Sequence, residues 1–124
     1  MSAARLDHIV ILVRSLDSSL PWYSVLLGLL GFEKTRDHVW WNGTVAFDIR
    51  QAEAGTRDYE RFGPGLNHSA FTVSNEAGLD RVRDGMTAAG FEVADKQRFG
   101  AEIATFFKDP DGMRVEVAAS ADPA

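Results

Sequence analysis

Four side chains in this sequence could do chemistry together: His8, Asp48, His68 and Glu116. His8 lies in Leu6-Asp7-His8-Ile9-Val10-Ile11-Leu12-Val13, and His68 in Leu66-Asn67-His68-Ser69-Ala70-Phe71-Thr72-Val73. Asp48 and Glu116 interrupt the apolar runs 44–50 and 113–118. Nitrogen and oxygen ligands without sulfur suit Mn, Fe(II), Co, Ni or Zn. Two neutral imidazoles and two carboxylates leave two negative charges, which a divalent cation would cancel. Without such a partner, burying the carboxylates is costly. Each residue alone has a plainer account. A single histidine in an apolar strand is usually a hydrogen-bonded core residue. Glu116, between two valines, would suit the wet face of a half-exposed sheet. Recurrence at matching places in two halves of the chain favours the metal.

Side chains alternate across a strand, so each apolar run divides into two faces. Ile9, Ile11 and Val13 suit packing under a helix, leaving His8, Val10 and Leu12 opposite. In the same way Phe71 and Val73 pack, and His68, Ala70 and Thr72 point away. Val45, Phe47 and Ile49 pack while Thr44, Ala46, Asp48 and Arg50 point away. Met113, Val115 and Val117 pack while Arg114, Glu116 and Ala118 point away. All four candidates therefore fall on the face away from the helices.

The helices show in the periodicity. Leu16, Leu20, Tyr23, Leu27 and Leu30 recur at steps of four and three before Gly31, and Leu79, Val82, Met86 and Ala89 recur before Gly90. Gly90 sits where a left-handed cap belongs. Ser15 could cap the first helix, but Pro21 is tolerated only in a first turn, which puts the regular start near Ser19. Short strands follow each helix, over 32–36, 38–41 and 44–50, then over 91–96, 101–107 and 113–118. Trp41-Asn42-Gly43-Thr44 and Asp109-Pro110-Asp111-Gly112 read as their hairpin turns. The order strand, helix, three strands thus occurs twice. The expected architecture is α+β, a single domain over 1–124. Module one covers about 5–50, a linker or mobile loop 51–65, and module two about 66–119.

Composition agrees with one ordinary globular domain: 124 residues, 45% hydrophobic and 25% charged, with a net charge of −5. An acidic balance without a basic stripe argues against nucleic acid or an anionic membrane as partner. The absence of cysteine removes thiol nucleophiles, Cys-based zinc sites and iron–sulfur clusters. The start is too polar for a signal peptide, and no stretch approaches the ~20 apolar residues of a membrane span. A cytoplasmic protein with a small-molecule substrate is expected.

The pattern resembles the vicinal oxygen chelate superfamily. Its members include glyoxalase I, bleomycin-resistance proteins, extradiol dioxygenases, fosfomycin-resistance enzymes and methylmalonyl-CoA epimerase. The resemblance runs from Leu6 to Ala118. It rests on the two histidine strands, on Trp22-Tyr23 followed by Leu26-Leu27-Gly28, and on Asp109-Pro110-Asp111-Gly112-Met113-Arg114-Val115-Glu116-Val117. It implies a curved, half-barrel-like mixed sheet with helices on its outer face, and a homodimer whose site lies within one chain or across two. It also implies a divalent metal on His8, His68 and Glu116, with the fourth position at Asp48. Asp48 departs from the family, where Glu or Gln is usual, and its shorter side chain could reach a metal through water. Glutathione is disfavoured, because Leu12, Ala52 and Pro64 stand where the glutathione enzymes place Arg, Asn and Arg.

The leading expectation is isomerase, lyase or epimerase chemistry through a metal-chelated enediolate or oxyanion, with Asp48 or Glu116 as proton shuttle. An Fe(II) extradiol-type dioxygenase is the alternative, although His38 is the only further histidine. A metal-free antibiotic-binding protein of the bleomycin-resistance type is the other. Its usual loss of ligands contrasts with the His8, His68 and Glu116 kept here. Trp40, Trp41 and Phe99 could line a pocket, although aromatics on short strands usually belong to the core.

Overall fold

A computed structural model describes residues 2–121. The chain divides at Thr56/Arg57 into two compact units, each with one helix and one four-stranded mixed sheet. In the first, β1 (His8–Val13) leads to α1 (Leu16–Leu29), then β2 (Glu33–Arg36), β3 (Val39–Trp41) and β4 (Ala46–Gln51). In the second, β5 (His68–Thr72) leads to α2 (Glu76–Ala88), then β6 (Gln97–Phe99), β7 (Glu102–Lys108) and β8 (Arg114–Ser120). The strand orders are β1-β4-β3-β2 and β5-β8-β7-β6, so the expected βαβββ arrangement occurs twice. In both units the first strand runs parallel to the last, and the remaining pairs are antiparallel. No described helix is long and apolar enough to cross a membrane.

The apolar faces pack as their alternation requires. Ile11, Val13, Phe47 and Ile49 are buried with Trp22, Tyr23, Leu26 and Leu27 of α1. Val115 and Val117 are buried with Leu79, Val82 and Met86 of α2. Burying a large aliphatic side chain is worth about 1.5–3 kcal/mol, so these clusters fix which face of each sheet meets its helix. The polar face is what remains. Trp40 belongs to this core, whereas Trp41 lies on the opposite face and is half-buried. Phe99 is exposed.

Several boundaries differ from expectation. Helix α1 begins at Leu16 rather than near Ser19. Ser15 caps it by accepting from Ser18 N–H, and Gln51 Oε1 accepts from the otherwise orphaned Leu16 N–H at 3.0 Å. Pro21 then removes only the bond to the Asp17 carbonyl. The strand expected over 91–96 is absent. Arg83 donates to the Ala94 carbonyl and to Thr105 Oγ1, so a guanidinium holds this segment beside β7 in place of a ladder. Gly31 and Gly90 do close their helices with positive φ, and the following Phe32 and Phe91 N–H groups bond back to Leu27 and Met86.

The expected linker is tied down at both ends. Gln51 belongs to β4, and Arg14 donates to the Thr56 carbonyl. Further on, Tyr59 Oη donates to the Leu66 and Asn67 carbonyls, and Arg57 donates to that of Pro64.

Candidate functional site

In the second unit, β5 and β8 bring His68 and Glu116 together. The register sets His68 opposite Arg114 and Ala70 opposite Glu116, so both candidates stand on the face away from α2. His68 Nε2 lies 3.3 Å from Glu116 Oε1, with 36% of the imidazole and 17% of the carboxylate side chain exposed. The other ring nitrogen, Nδ1, is 2.7 Å from Asn67 Oδ1. Asn67 Nδ2 donates to the Arg61 carbonyl at 3.0 Å, which fixes the amide so that its oxygen faces the ring. His68 therefore carries a proton on Nδ1, and in the neutral ring its Nε2 lone pair is directed toward the Glu116 side. Metal-binding histidines are oriented in this way by a partner on the distal nitrogen.

His8 repeats the arrangement in the first unit. Its Nδ1 donates to Asp7 Oδ2 at 2.8 Å, leaving Nε2 free, and its side chain is 58% exposed. The carboxylate and amide oxygens of Asp7 and Asn67 thus have the same role, each from the position before its histidine. Sequence reasoning missed both, although the signal was there: each histidine strand has an oxygen-bearing side chain immediately before the histidine.

Asp48 is placed differently from Glu116. It stands opposite Val10 on β1 and Val39 on β3, with only 8% of its side chain exposed. Both carboxylate oxygens are engaged. Oδ1 accepts from His38 Nδ1 at 2.7 Å, and Oδ2 accepts from Arg50 Nε and Nη2 at 2.9 and 2.8 Å. The Arg50 guanidinium holds the Asp48 carboxyl below its ordinary range, with His38 adding to the effect and burial opposing it. Oδ1 carries one of these bonds and Oδ2 two, so this carboxylate orients its neighbours and has more of its acceptor capacity engaged by protein groups than Glu116 has. This pair of partners was also missed. Arg50, two residues along the same strand face, was legible. His38 was not, because it precedes β3 in a hairpin whose register shifts between Lys34 and Arg36.

The described residues thus offer pairs within each unit, His68 with Glu116 and His38 with Asp48, and no cluster of three or more metal-ligating side chains. The donor set fits a divalent ion where an imidazole lone pair and a carboxylate oxygen already face each other.

Comparison with known proteins gives a consistent picture. A family model described as Glyoxalase/Bleomycin resistance protein/Dioxygenase superfamily matches residues 5–117. The uncharacterized protein YqjT of Bacillus subtilis (strain 168) is 27% identical over 128 residues, spanning 92% of this chain and 98% of that protein. Among solved structures, a candidate glyoxalase from Bacillus halodurans has a TM-score of 0.79 at 27% identity, covering 92% of this chain and 94% of that one. A glyoxylase/bleomycin resistance protein/dioxygenase domain from Frankia sp. EAN1pec has a TM-score of 0.77 at 22% identity, with coverage of 99% and 96%. The fosfomycin resistance protein FosX from Mesorhizobium loti has a TM-score of 0.66 at 20% identity, with coverage of 96% and 94%. At these identities the last two likenesses show a shared fold.

Proposed function

Because the chain belongs to the Glyoxalase/Bleomycin resistance protein/Dioxygenase superfamily, we propose that it is a divalent-metal-dependent enzyme of glyoxalase type. Its substrate is a small oxygen-rich metabolite without glutathione, and the reaction is an isomerisation, lyase or epimerase step. The observation that carries this reading is the His68–Glu116 pair, with His68 locked by Asn67 into the tautomer that directs Nε2 toward the carboxylate.

His68 and Glu116 would hold one side of the ion, and His8 is the further ligand, from this chain or from a second copy. A bound divalent ion would supply Lewis acidity for an oxyanion on the substrate. The other roles belong to the chain itself. Glu116, partly exposed on the open face of β8, takes and returns the substrate proton at its carboxylate oxygens. Asn67 and Asp7 keep the imidazoles oriented. Asp48, held by His38 and Arg50, stays outside the direct ligand set and reaches an ion only through water. One family model runs through both units, so we take them as one functional domain, cytoplasmic and working as a homodimer.

Elemental analysis of the natively purified protein, paired with a screen of 2-oxoaldehyde, epoxide and catechol substrates, tests the reading. A stoichiometric divalent ion with turnover of a 2-oxoaldehyde or epoxide is the expected result. Protein that takes up no divalent metal, or a His8→Ala/His68→Ala double variant that keeps both metal and turnover, would overturn it. Oxygen uptake with catechols after anaerobic iron loading would replace it with the extradiol chemistry.

A further inference from the structure

The second unit contains a pocket of about 550 Å³ whose wall includes three cations, Arg61, Lys108 and Arg114. Among the described residues none of the three has an ion-pair partner. Arg61 is the most telling. Its Nε is buried without any hydrogen-bond acceptor, while its guanidinium lies 4.7 Å from the centre of the Phe62 ring. A buried charged donor left unpaired is costly, and an anionic ligand would relieve that cost.

The acidic groups of the pocket do not supply the missing charge. Glu92 is exposed at the rim. Asp109 is turned into its own hairpin, where Oδ1 accepts from the Asp111 and Met113 N–H groups, both at 2.9 Å. Three unpaired cations gathered in one hollow run against the net charge of −5 carried by the whole chain.

The remaining wall is aromatic. Phe99 is 52% exposed, and its ring stands nearly at right angles to that of Phe106, with centroids 6.3 Å apart. Phe106 is the register partner of Glu116, and Arg114 is that of His68. The Phe106 ring also lies 5.7 Å from the His68 ring. The pocket therefore adjoins the His68–Glu116 pair along the same sheet face.

We propose that this pocket binds the anionic end of the substrate. A carboxylate or phosphate is held by Arg61, Lys108 and Arg114, with a planar apolar portion against Phe99 and Phe106. The substrate class is thus an organic oxyanion on an aromatic or unsaturated skeleton, with its reacting oxygens directed toward His68 and Glu116. That last orientation rests on the metal-site reading, whereas anion binding does not.

Titration of the full chain by calorimetry, metal-free and after zinc loading, separates the two. The probes are phenylacetate, phenyl phosphate, inorganic phosphate and the uncharged phenylacetamide. Phenylacetate and phenyl phosphate are expected to bind saturably, and whichever binds more tightly identifies the oxyanion. Phenylacetamide should bind roughly tenfold more weakly than phenylacetate, as expected for losing one charge-assisted contact. Inorganic phosphate, lacking the ring, should bind more weakly than phenyl phosphate. Lys108→Gln and Arg114→Gln should each weaken the aryl anions by about tenfold. Lys108 is exposed, so that variant keeps the fold even where Arg61→Gln does not. Equal binding of amide and carboxylate, or unaltered anion affinity in both Lys108→Gln and Arg114→Gln, would overturn the proposal. Anion binding without zinc uptake would remove the metal reading and leave the pocket standing.

Discussion

Asp48 and Glu116 hold the same place in the two units, yet only one of them is left open. Each lies on the strand that comes last in its unit's chain order, opposite the residue two beyond the unit's histidine. The difference lies in the neighbours. Two residues farther along the same face, the first unit has Arg50 and the second has Ala118. Arg50 reaches back to Asp48 Oδ2, and His38 takes the other oxygen. Ala118 has nothing to offer, so Glu116 faces the imidazole of His68. A repeated frame can thus place two carboxylates identically and give them opposite tasks. One is paired with a guanidinium, and the other faces an imidazole.

The most forceful way to break this comparison is to remove the open pair. His68→Ala or Glu116→Ala should reduce metal affinity by more than about 100-fold, beyond the 10–100-fold typical of outer partners. Asp48→Asn should change it by less than about tenfold, since its oxygens are already committed. Equilibrium dialysis against a chelator measures both, and equal losses in the two units would erase the distinction.

Asn67→Ala sharpens the comparison one step outward. It leaves every proposed ligand in place but frees the His68 ring, so metal affinity should fall by about 10–100-fold, the range for orienting partners. Restoring an acceptor with Asn67→Asp should recover most of it. A loss that Asp fails to rescue would point to a structural role, through the Arg61 carbonyl that Asn67 also holds.

The smallest expected effect concerns stability. Asp48→Asn should cost about 1–3 kcal/mol at neutral pH, the range for leaving buried hydrogen-bonding partners unmatched. Because folding lowers the Asp48 pKa, its contribution is fully present above the ordinary carboxylate value and is lost as pH falls through the lower folded value. Denaturant melts of wild type and variant should therefore converge in acid. A stability gap that persists there would assign the effect to packing instead of charge.

Much of this was legible in the residues themselves. Alternation in the strands bearing His8, His68, Asp48 and Glu116 put all four on the correct face, because only one face of each strand is apolar enough to bury. The glycines after the helices and the Asp109-Pro110-Asp111-Gly112 turn were readable for the same local reason. Each meets a backbone requirement that few other residues meet.

What the sequence could not settle was which partner each polar group finds. The start of α1 depended on Gln51, which lies far along the chain and accepts from Leu16 N–H. The fate of 91–96 depended on a guanidinium from α2. Asp48 gained its second partner, His38, from a hairpin whose register shifts. Burial of apolar surface is a sum over many weak contacts and survives local averaging, so it shows in composition and period. A hydrogen bond forms only within a few tenths of an ångström of its proper length, and that closeness exists only once the elements have packed.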